Sequence, residues 1–385
     1  MNRKNSILIG VMAAFMILCG GLYILIPINM AILPKNSALN SNNGIKVDNG
    51  YVISLFADGL DNPRFMAPTS QGDLIVADPG MGAVLLLRKD EDGDGLADTQ
   101  IELLTGLNRA HDIALWQGWL YVAETDAISR IRFDAESGAV HGQREIVVAG
   151  LPGGGNHWTR TIAFGPDGWL YLSLGSSCNV CIENDTRRAA ISRYHPDGSG
   201  AQLYATGLRN SVGFDWSPSD GQLYATENGR DWLGDNFPPD ELNHIVQGGF
   251  YGWPYSNGDD VADPDFGGQL PAGVNPISPV HGFAAHNAPL GMTFLRSENQ
   301  PSSFQNAALV ALHGSWNRST KDGYKVVSLH WNEDGSITER DFVSGFLQDD
   351  AVSGRPAGLV EVEDGSIYLS DDFGGKIYRI RPRTQ

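Results

Sequence analysis

A short apolar strand recurs six times along this chain, and each copy ends beside turn residues and acidic or amide groups. The copies lie about 50 residues apart, with one longer interval between Leu223 and Leu309. This period is typical of the four-stranded blades of a β-propeller. The sequence therefore predicts an all-β fold, a six-bladed β-propeller of four-stranded antiparallel blades. The six segments, named marker strands here, are 73–78 (DLIVAD), 119–125 (WLYVAET), 169–175 (WLYLSLG), 222–228 (QLYATEN), 308–314 (ALVALHG) and 366–372 (SIYLSDD).

A second segment precedes each marker strand, and it begins polar before it turns apolar. Innermost strands of propeller blades surround one central channel, so equivalent starts are brought to one mouth of that channel. These starts carry cations and imidazoles in a chain of net charge −18, which favours an anionic ligand at the axis. The alternative is that they are solvated residues capping the blade ends. The residues are Asn62, Arg64, Arg109, His111, His157, Arg160, Arg209, Asn210, His286, Asn287 and Arg355.

Composition agrees with a turn-rich all-β protein. The 385 residues include 47 Gly and 20 Pro, and 42% are hydrophobic, which suits one domain with a large core. The acidic balance and the lack of a basic stripe with interleaved aromatics disfavour a nucleic-acid partner.

The N-terminus has the pattern of a membrane-targeting segment. Arg3 and Lys4 precede an apolar stretch from Ile7 to about Leu33, which is longer than the apolar region of an ordinary signal peptide. We expect a signal or uncleaved membrane anchor at 1–34, a polar tether at 35–49 and the propeller domain at 50–385. Positive charge before the anchor predicts an extracytoplasmic propeller on the periplasmic face, tethered to the inner membrane or exported.

Cys178 and Cys181 are the two cysteines of the predicted exported portion, and they form the sequence CNVC. A local disulfide is expected in an oxidising compartment, since neither a second CxxC nor a neighbouring His completes a zinc set. A redox-active pair is the alternative interpretation.

An acidic run with alternating carboxylates resembles half of an EF-hand loop. Its residues Asp90, Asp92, Asp94 and Asp98 surround glycines, and carboxylate oxygens suit calcium. Ile101 stands where the EF-hand pattern has Glu. A structural calcium site and a solvated hairpin loop are therefore both open.

Several longer motifs carry a family resemblance that covers nearly the whole predicted exported chain. They are NHxxRxxxFGPDGxLY, GLRNxxG, DELNxIxxGGxYGWP, HNAPLGMTF, LHGSWNRS and GRPAG. With these motifs the chain resembles the soluble pyrroloquinoline quinone (PQQ) dependent glucose and sorbosone dehydrogenases, also called aldose sugar dehydrogenases. The resemblance implies a six-bladed propeller that holds PQQ and Ca²⁺ and oxidises an aldose or related sugar to its lactone. It also implies an electron acceptor, which the sequence does not identify.

The resemblance also implies roles for individual residues. His157 matches the catalytic base, and neutral imidazole can accept a proton at ordinary pH. Arginine and asparagine side chains match groups that hold the quinone, whose three carboxylates suit guanidinium forks. The backbone carbonyls of Gly229 and Arg230 match ligands of the cofactor-linked calcium. The implied cofactor-binding residues are His111, Arg160, Arg209, Asn210, Arg318 and Arg355.

Two departures from the glucose-oxidising pattern are visible. Ala357 stands where those members have a second Arg, and Ser176 or Ser177 stands where an acidic partner of the base is expected. Both changes indicate the sorbosone-dehydrogenase-like branch. A calcium-dependent lactonase-type hydrolase and a non-catalytic propeller that has lost PQQ are the alternative functions.

Overall fold

Six antiparallel sheets arranged around one axis make up the part of the chain that the structure, a computed structural model, describes, residues 44–383. They confirm the predicted six-bladed propeller, and each marker strand is the second strand of its blade. Blades 1 to 6 are numbered in the chain order of their innermost strands.

The first three blades occupy residues 66–206, and each runs from its innermost strand outward. Blade 1 contains Met66–Pro68, Leu74–Asp78, Ala83–Leu87 and Gln100–Leu104. Blade 2 contains Asp112–Trp116, Trp119–Ala123, Ile128–Asp134 and Ala139–Val148. Blade 3 contains Arg160–Phe164, Leu170–Leu174, Ala190–Tyr194 and Gln202–Thr206, with Gly249–Phe250 added in parallel at its edge.

The last three blades include both ends of the described chain. Blade 4 contains Phe214–Trp216, Leu223–Glu227, Asp240–Ile245 and His281–Phe283. Blade 5 contains Pro289–Phe294, Ala308–Leu312, Lys325–Trp331 and Ile337–Ser344, with Lys46–Val47 at its edge. Blade 6 contains Pro356–Glu361, Ile367–Asp371, Lys376–Pro382 and Tyr51–Ala57. Short elements outside the blades are the strands Ser256–Asn257, Val261–Ala262, Leu347–Gln348 and Ala351–Val352 and the 3₁₀ helices Gly267–Gln269 and Ser302–Phe304.

The ring is closed by pairing the first part of the propeller with the last. Tyr51–Ala57 lies antiparallel to Lys376–Pro382 and supplies the outermost strand of blade 6. Because Lys46–Val47 pairs with Ile337–Ser344 of blade 5, the predicted tether 35–49 overlaps the propeller. The predicted anchor 1–34 lies outside the described residues. Within 44–383, no helix is long and apolar enough to cross a membrane.

The marker strands are mostly apolar because both of their faces are buried. In blade 1, Leu74 and Val76 pack toward blade 6, whereas Ile75 and Ala77 pack toward blade 2. Alternate side chains of a strand point to opposite faces, so one strand serves two interfaces. Six apolar clusters result, one between each pair of neighbouring blades.

The acidic residues that end four of the marker strands have a structural use. Their carboxylates accept hydrogen bonds from backbone N–H groups that lead into the innermost strand of the same blade. Blades 3 and 5 differ, because Leu174 and His313 stand at the corresponding positions of their marker strands. The four carboxylates and the residues whose N–H they accept are Asp78 with Asn62, Glu124 with Asn108, Glu227 with Asn210, and Asp371 with Arg355.

Candidate active site

A cavity of about 570 Å³ opens at the mouth of the channel where the innermost strands begin. Five of the six blades contribute polar residues to its wall. These include Arg64 from blade 1, His157 from blade 3, Arg209 from blade 4, His286 from blade 5 and Arg355 from blade 6. The volume lies within the range of small-molecule sites, about 300–1,000 Å³.

The floor of the cavity is apolar. Val212 and Leu290 line it and pack against fully buried Ala357. Ala357 therefore belongs to a tight axial cluster, and a long cationic side chain at this position would have to displace its neighbours.

His157 is held in one tautomer by a neutral partner. Its Nδ1 lies 2.9 Å from the Ser176 carbonyl oxygen and 3.0 Å from Ser176 Oγ. A carbonyl oxygen can only accept, so Nδ1 carries the proton and Nε2 keeps its lone pair. A carbonyl and a hydroxyl thus take the position where a carboxylate was expected.

Blade 3 needs a glycine beside His157. A Cβ on Gly175 would come within 2.3 Å of Asn210 Oδ1 and 2.7 Å of His157 Cβ. The close approach of these two side chains explains why this marker strand ends in Gly.

The pKa of His157 is lowered to about 3. Burial disfavours the imidazolium, and the positive charge of Arg209 adds to the effect. The imidazole is therefore neutral near pH 7, which is the form that can accept a proton.

Most N–H groups of Arg209 donate hydrogen bonds to other residues of the protein. Its Nε donates to the Asn179 carbonyl (2.8 Å), Nη1 to the Asn228 carbonyl (3.1 Å), and Nη2 to Asn179 Oδ1 (2.9 Å) and Asp231 Oδ2 (3.0 Å). A guanidinium has five N–H donors. Among residues 44–383 this leaves one N–H, on Nη1, without a partner, so Arg209 cannot offer the two-pronged fork that the sequence suggested.

Asn210 lines the cavity next to Arg209. Its backbone N–H donates to Glu227 Oε1 (2.8 Å), and its Nδ2 donates to Asn228 Oδ1 (3.3 Å). Its Oδ1 is buried and has no partner in the described chain. A buried amide oxygen without a donor is costly, so this atom is suited to a ligand's donor group.

Arg355 has more N–H groups available for an anion than Arg209 has. Its Nε donates to the His313 carbonyl (3.1 Å) and one Nη2 N–H donates to the Gly314 carbonyl (3.0 Å). Three N–H groups, spread over both terminal nitrogens, have no partner within 44–383. This edge can bind a carboxylate through two parallel hydrogen bonds.

A second histidine, His313, lines the cavity beside Arg355. Its Nε2 lies 2.9 and 3.0 Å from the two carboxylate oxygens of Asp372, which is also ion-paired with Arg64. Burial lowers the pKa of His313 to about 4 despite Asp372. Burial alone would raise the pKa of Asp372, but His313 and Arg64 hold it well below its usual range.

The segment 228–231 forms one wall of the cavity. Gly229 donates its N–H to Asp240 Oδ1 (2.8 Å), while Asp240 Oδ2 accepts from the N–H of Ala288 (2.7 Å). The side chain of Arg230 turns away to Asp263 and Asp265. Burial raises the pKa of Asp240 to about 7. Neither the Gly229 nor the Arg230 carbonyl accepts a hydrogen bond from residues 44–383.

Three of the expected cofactor-binding residues do not line the cavity. His111 is buried beneath it, where Trp158 packs against its ring and the Arg64 Nε contacts its Nδ1. Arg160 is fully buried, and it donates to backbone carbonyls of the loop that carries His157.

Arg318, the third residue, lies outside the cavity wall. It donates to the carbonyls of Asp235 and Ala285. Arg160 and Arg318 therefore connect loops, because both donate to backbone carbonyls. His111 is buried, and its Nε2 has no hydrogen-bond partner within residues 44–383.

Cys178 and Cys181 are joined by a disulfide. The acidic run forms a tight loop in which Asp90, Asp92 and Asp98 bring carboxylate oxygens within 4.8 Å of one another, whereas Asp94 is not part of that group. Calcium binding there remains a prediction.

Two tryptophans stand at the rim of the cavity. Trp316 lines it and is 63% exposed, and Trp232 is 68% exposed. Their rings meet edge to face at 5.2 Å. Trp232 has φ +73°, a left-handed conformation that bulky residues rarely adopt.

The pair of His313 and Asp372 and the rim tryptophans were not predicted from the sequence. A signal existed for the pair, since His313 lies near the end of the blade 5 marker strand and Asp372 is the second acid of SDD in blade 6.

Comparison with known proteins identifies a matching family and several relatives. The TrAA12-like family matches residues 45–248 and 274–383. A protein of Borreliella burgdorferi with no assigned function is 31% identical over 351 residues, 87% of this chain and 90% of that protein. The pyrroloquinoline quinone-dependent sugar dehydrogenase of Hypocrea jecorina is 26% identical over 395 residues, 86% of this chain and 87% of its own.

Solved structures show the same fold. A Trichoderma reesei protein of Carbohydrate-Active Enzymes Family AA12 superposes with a TM-score of 0.77 at 24% identity. The match covers 91% of this chain and 100% of that one.

Proposed function

This chain belongs to the TrAA12-like family, and we propose that it is a PQQ- and calcium-dependent oxidoreductase that converts an aldose or related sugar to its lactone. The observation that carries the proposal is the pairing, in one cavity, of a neutral histidine with a free ring nitrogen and an arginine with an unpaired fork. His157 is that histidine and Arg355 is that arginine.

The donor set of the cavity fits PQQ. Three N–H groups of Arg355 and one of Arg209 suit carboxylates, and the buried Oδ1 of Asn210 suits a donor of the ring system. Arg64 and Arg209 also line the wall, but they are ion-paired with Asp372 and Asp231. Arg355 donates only to carbonyls and has no carboxylate partner within residues 44–383, so its positive charge favours an anionic group of the cofactor.

Calcium would be held by the carbonyls of Gly229 and Arg230. Carbonyl oxygens are hard ligands that this ion prefers. Their availability supports the assignment, and the nearby carboxylates of Asp231 and Asp240 supply negative potential. Asp240 also holds the N–H of Gly229, which fixes the start of this segment.

His157 would act as the general base. With its Nδ1–H on the Ser176 carbonyl, the Nε2 lone pair is available to take the proton of the sugar's anomeric hydroxyl. Bound PQQ supplies the two-electron acceptor for the hydride that leaves the same carbon. Negative charge brought into the cavity would raise the pKa of His157 from its low value and so strengthen the base.

The rim tryptophans would contact the sugar. Trp316 and Trp232 present exposed aromatic surface at the mouth, where the apolar face of a pyranose can pack. The reacting end of the sugar would then point inward to His157.

Ala357 and Ser176 favour the sorbosone-dehydrogenase-like branch. Ala357 leaves the floor apolar, and Ser176 replaces a carboxylate behind the base. We also propose an extracytoplasmic location at the membrane, with electrons passed to an external acceptor. The Cys178–Cys181 disulfide supports an oxidising compartment.

A lactonase-type hydrolase is less well supported. Among residues 44–383, the groups of three His, Cys, Asp or Glu side chains that could share a metal are not part of the cavity wall. The carboxylates that do line it, Asp231 and Asp240, already accept hydrogen bonds from the protein.

The test is a dye-reduction assay with the purified protein. PQQ and calcium are added, and reduction of an artificial acceptor is followed with a panel of aldoses. Turnover that needs both PQQ and calcium supports the proposal. Absence of turnover together with absence of PQQ binding would reject it, and PQQ binding without turnover on any sugar would favour a binding module.

A further inference from the structure

The disulfide loop Cys178–Cys181 follows the blade 3 marker strand. It contacts two residues of the cavity wall, Arg209 and Asp231. Between its cysteines lies Asn179, which takes part in five hydrogen bonds with other blades and loops. The roles proposed for His157 and Arg355 do not explain why Asn179 makes so many hydrogen bonds.

Asn179 accepts two hydrogen bonds from Arg209. Its carbonyl oxygen accepts from Arg209 Nε at 2.8 Å, and its Oδ1 accepts from Arg209 Nη2 at 2.9 Å. These two bonds occupy one edge of the guanidinium and direct the remaining Nη1 N–H. The orientation of Arg209 therefore depends on Asn179.

Asn179 also fixes the segment 228–231. Its Oδ1 accepts the N–H of Asp231 at 2.8 Å, and its Nδ2 donates to the Asp231 carbonyl at 3.1 Å. The N–H of Asp231 and the carbonyl of Arg230 belong to one planar trans peptide unit and point in opposite directions. By holding that N–H, Asn179 directs the Arg230 carbonyl away from itself.

The same loop touches the base at its other end. Ser176 Oγ donates to the Cys178 carbonyl at 2.7 Å, while the carbonyl of Ser176 accepts from His157 Nδ1. The disulfide closes a short ring that contains both Asn179 and the Cys178 carbonyl, so it restricts how far these two groups can move relative to each other.

We propose that Asn179 is a positioning residue, held in place by the Cys178–Cys181 disulfide, that aligns Arg209 with the peptide unit bearing the Arg230 carbonyl. Its meaning for the reaction rests on the proposed function, in which Arg209 contacts PQQ and the Arg230 carbonyl binds calcium. The alignment itself is a property of the protein without cofactor.

Hydrogen exchange on the cofactor-free protein tests the alignment directly. In Asn179→Ala, the amide of Asp231 loses its acceptor, so exchange in residues 228–233 should rise about 10-fold or more, while blade 6 is unchanged. Asn184→Ala is the matched control, because Asn184 is an exposed asparagine three residues after the disulfide loop, and it should leave exchange unchanged. Unchanged exchange at 228–233 in Asn179→Ala would overturn the proposal.

PQQ binding in the presence of calcium, measured by equilibrium dialysis, tests the consequence. Asn179→Ala should weaken binding about 10- to 100-fold, as expected for lost hydrogen bonds to charged groups. Both variants keep the main-chain carbonyl, but Asn179→Asp also keeps a side-chain oxygen acceptor and should therefore recover part of the affinity. Equal weakening by Asn179→Asp and Asn179→Ala would overturn the role of the side-chain acceptor.

A double-mutant cycle separates positioning from direct contact. If Asn179 acts partly through Arg209, Asn179→Ala should weaken binding much less in an Arg209→Ala background. Additive losses would contradict the proposal.

The disulfide is tested by Cys178→Ser/Cys181→Ser, which should raise exchange at 228–233 and weaken PQQ binding less than Asn179→Ala does. Wild-type exchange at 228–233 in this variant would remove the disulfide from the proposal. If Asn179→Ala fails to fold, the Cys178→Ser/Cys181→Ser variant tests the proposal in its place. If the exchange results hold and the wild-type protein binds no PQQ, the proposed function fails and the positioning role stands.

Discussion

Replacing Arg355 by Lys is the sharpest test of how the cavity binds an anion. The change keeps the positive charge and removes the planar fork. Arg355 uses two N–H groups on the carbonyls of His313 and Gly314 and leaves three for a ligand. A lysine ammonium has three donors on one nitrogen, so it cannot form two parallel bonds to one carboxylate while also holding both carbonyls.

The magnitude follows from the bonds lost. A hydrogen bond to a charged group contributes about 1.5–3 kcal/mol. Loss of one of two such bonds should raise the Kd of PQQ about 10- to 100-fold, since each 1.4 kcal/mol is about tenfold. Equilibrium dialysis with calcium present measures this Kd, and a thermal melt checks that the fold is kept.

Arg340→Lys is the matched control, because Arg340 is exposed on the outer strand Ile337–Ser344 of blade 5. It should leave the Kd within about twofold of wild type. Arg209→Lys should behave differently from Arg355→Lys, with a fall in Tm of several degrees, because four of its bonds hold loops together. If the Kd of Arg355→Lys for PQQ is close to that of wild type, Arg355 does not bind a carboxylate through two parallel hydrogen bonds.

Three further outcomes are expected. His157→Gln should retain PQQ and lower kcat about 10²–10⁴-fold, and if His313→Gln showed that loss instead, the base would be His313. Trp316→Ala should raise KM for sugars about 10-fold with little change in kcat, and an unchanged KM would remove the aromatic rim from sugar binding. In pH-dependent unfolding of the cofactor-free protein, the stability advantage of wild type over His157→Gln should shrink as pH falls from about 6.5 toward 3, by up to about 1.4 kcal/mol per pH unit. The sign follows because the folded-state pKa is lowered, so the unfolded chain binds the proton first, and a constant difference across that range would contradict the buried neutral imidazole.

The fold could be predicted because each blade repeats one constraint. A second strand buried on both faces is mostly apolar, as Leu74 to Ala77 illustrate, and this leaves an apolar pattern that recurs with each blade. The strand pairing that closes the ring could not be predicted from a local sequence pattern. Tyr51–Ala57 joins blade 6 through backbone pairing with a segment more than 300 residues away, and no local pattern identifies such a partner.

The site could be predicted only in part. The polar starts indicated which residues reach the mouth, and His157, Arg209, Asn210 and Arg355 do line one cavity. Their free donors could not be read from the sequence, because those depend on which carbonyls lie nearby. Blade 2 shows the same limit, since its His111 packs against the side chain of Trp158 and does not line the cavity.

Ser176 shows why a missing carboxylate does not by itself remove a base. The task of the partner is to fix which ring nitrogen of His157 keeps the proton, and a carbonyl oxygen does this as strictly as a carboxylate because it can only accept. What a carboxylate adds is negative charge, which would raise the pKa of the imidazole. In this chain that charge must come from the ligand side of the cavity, so the basicity of His157 should depend on the anion that Arg355 binds. A pH profile of kcat should therefore show an apparent pKa well above the value of about 3 found for the protein alone. Activity that persists unchanged down to about pH 3 would contradict this coupling.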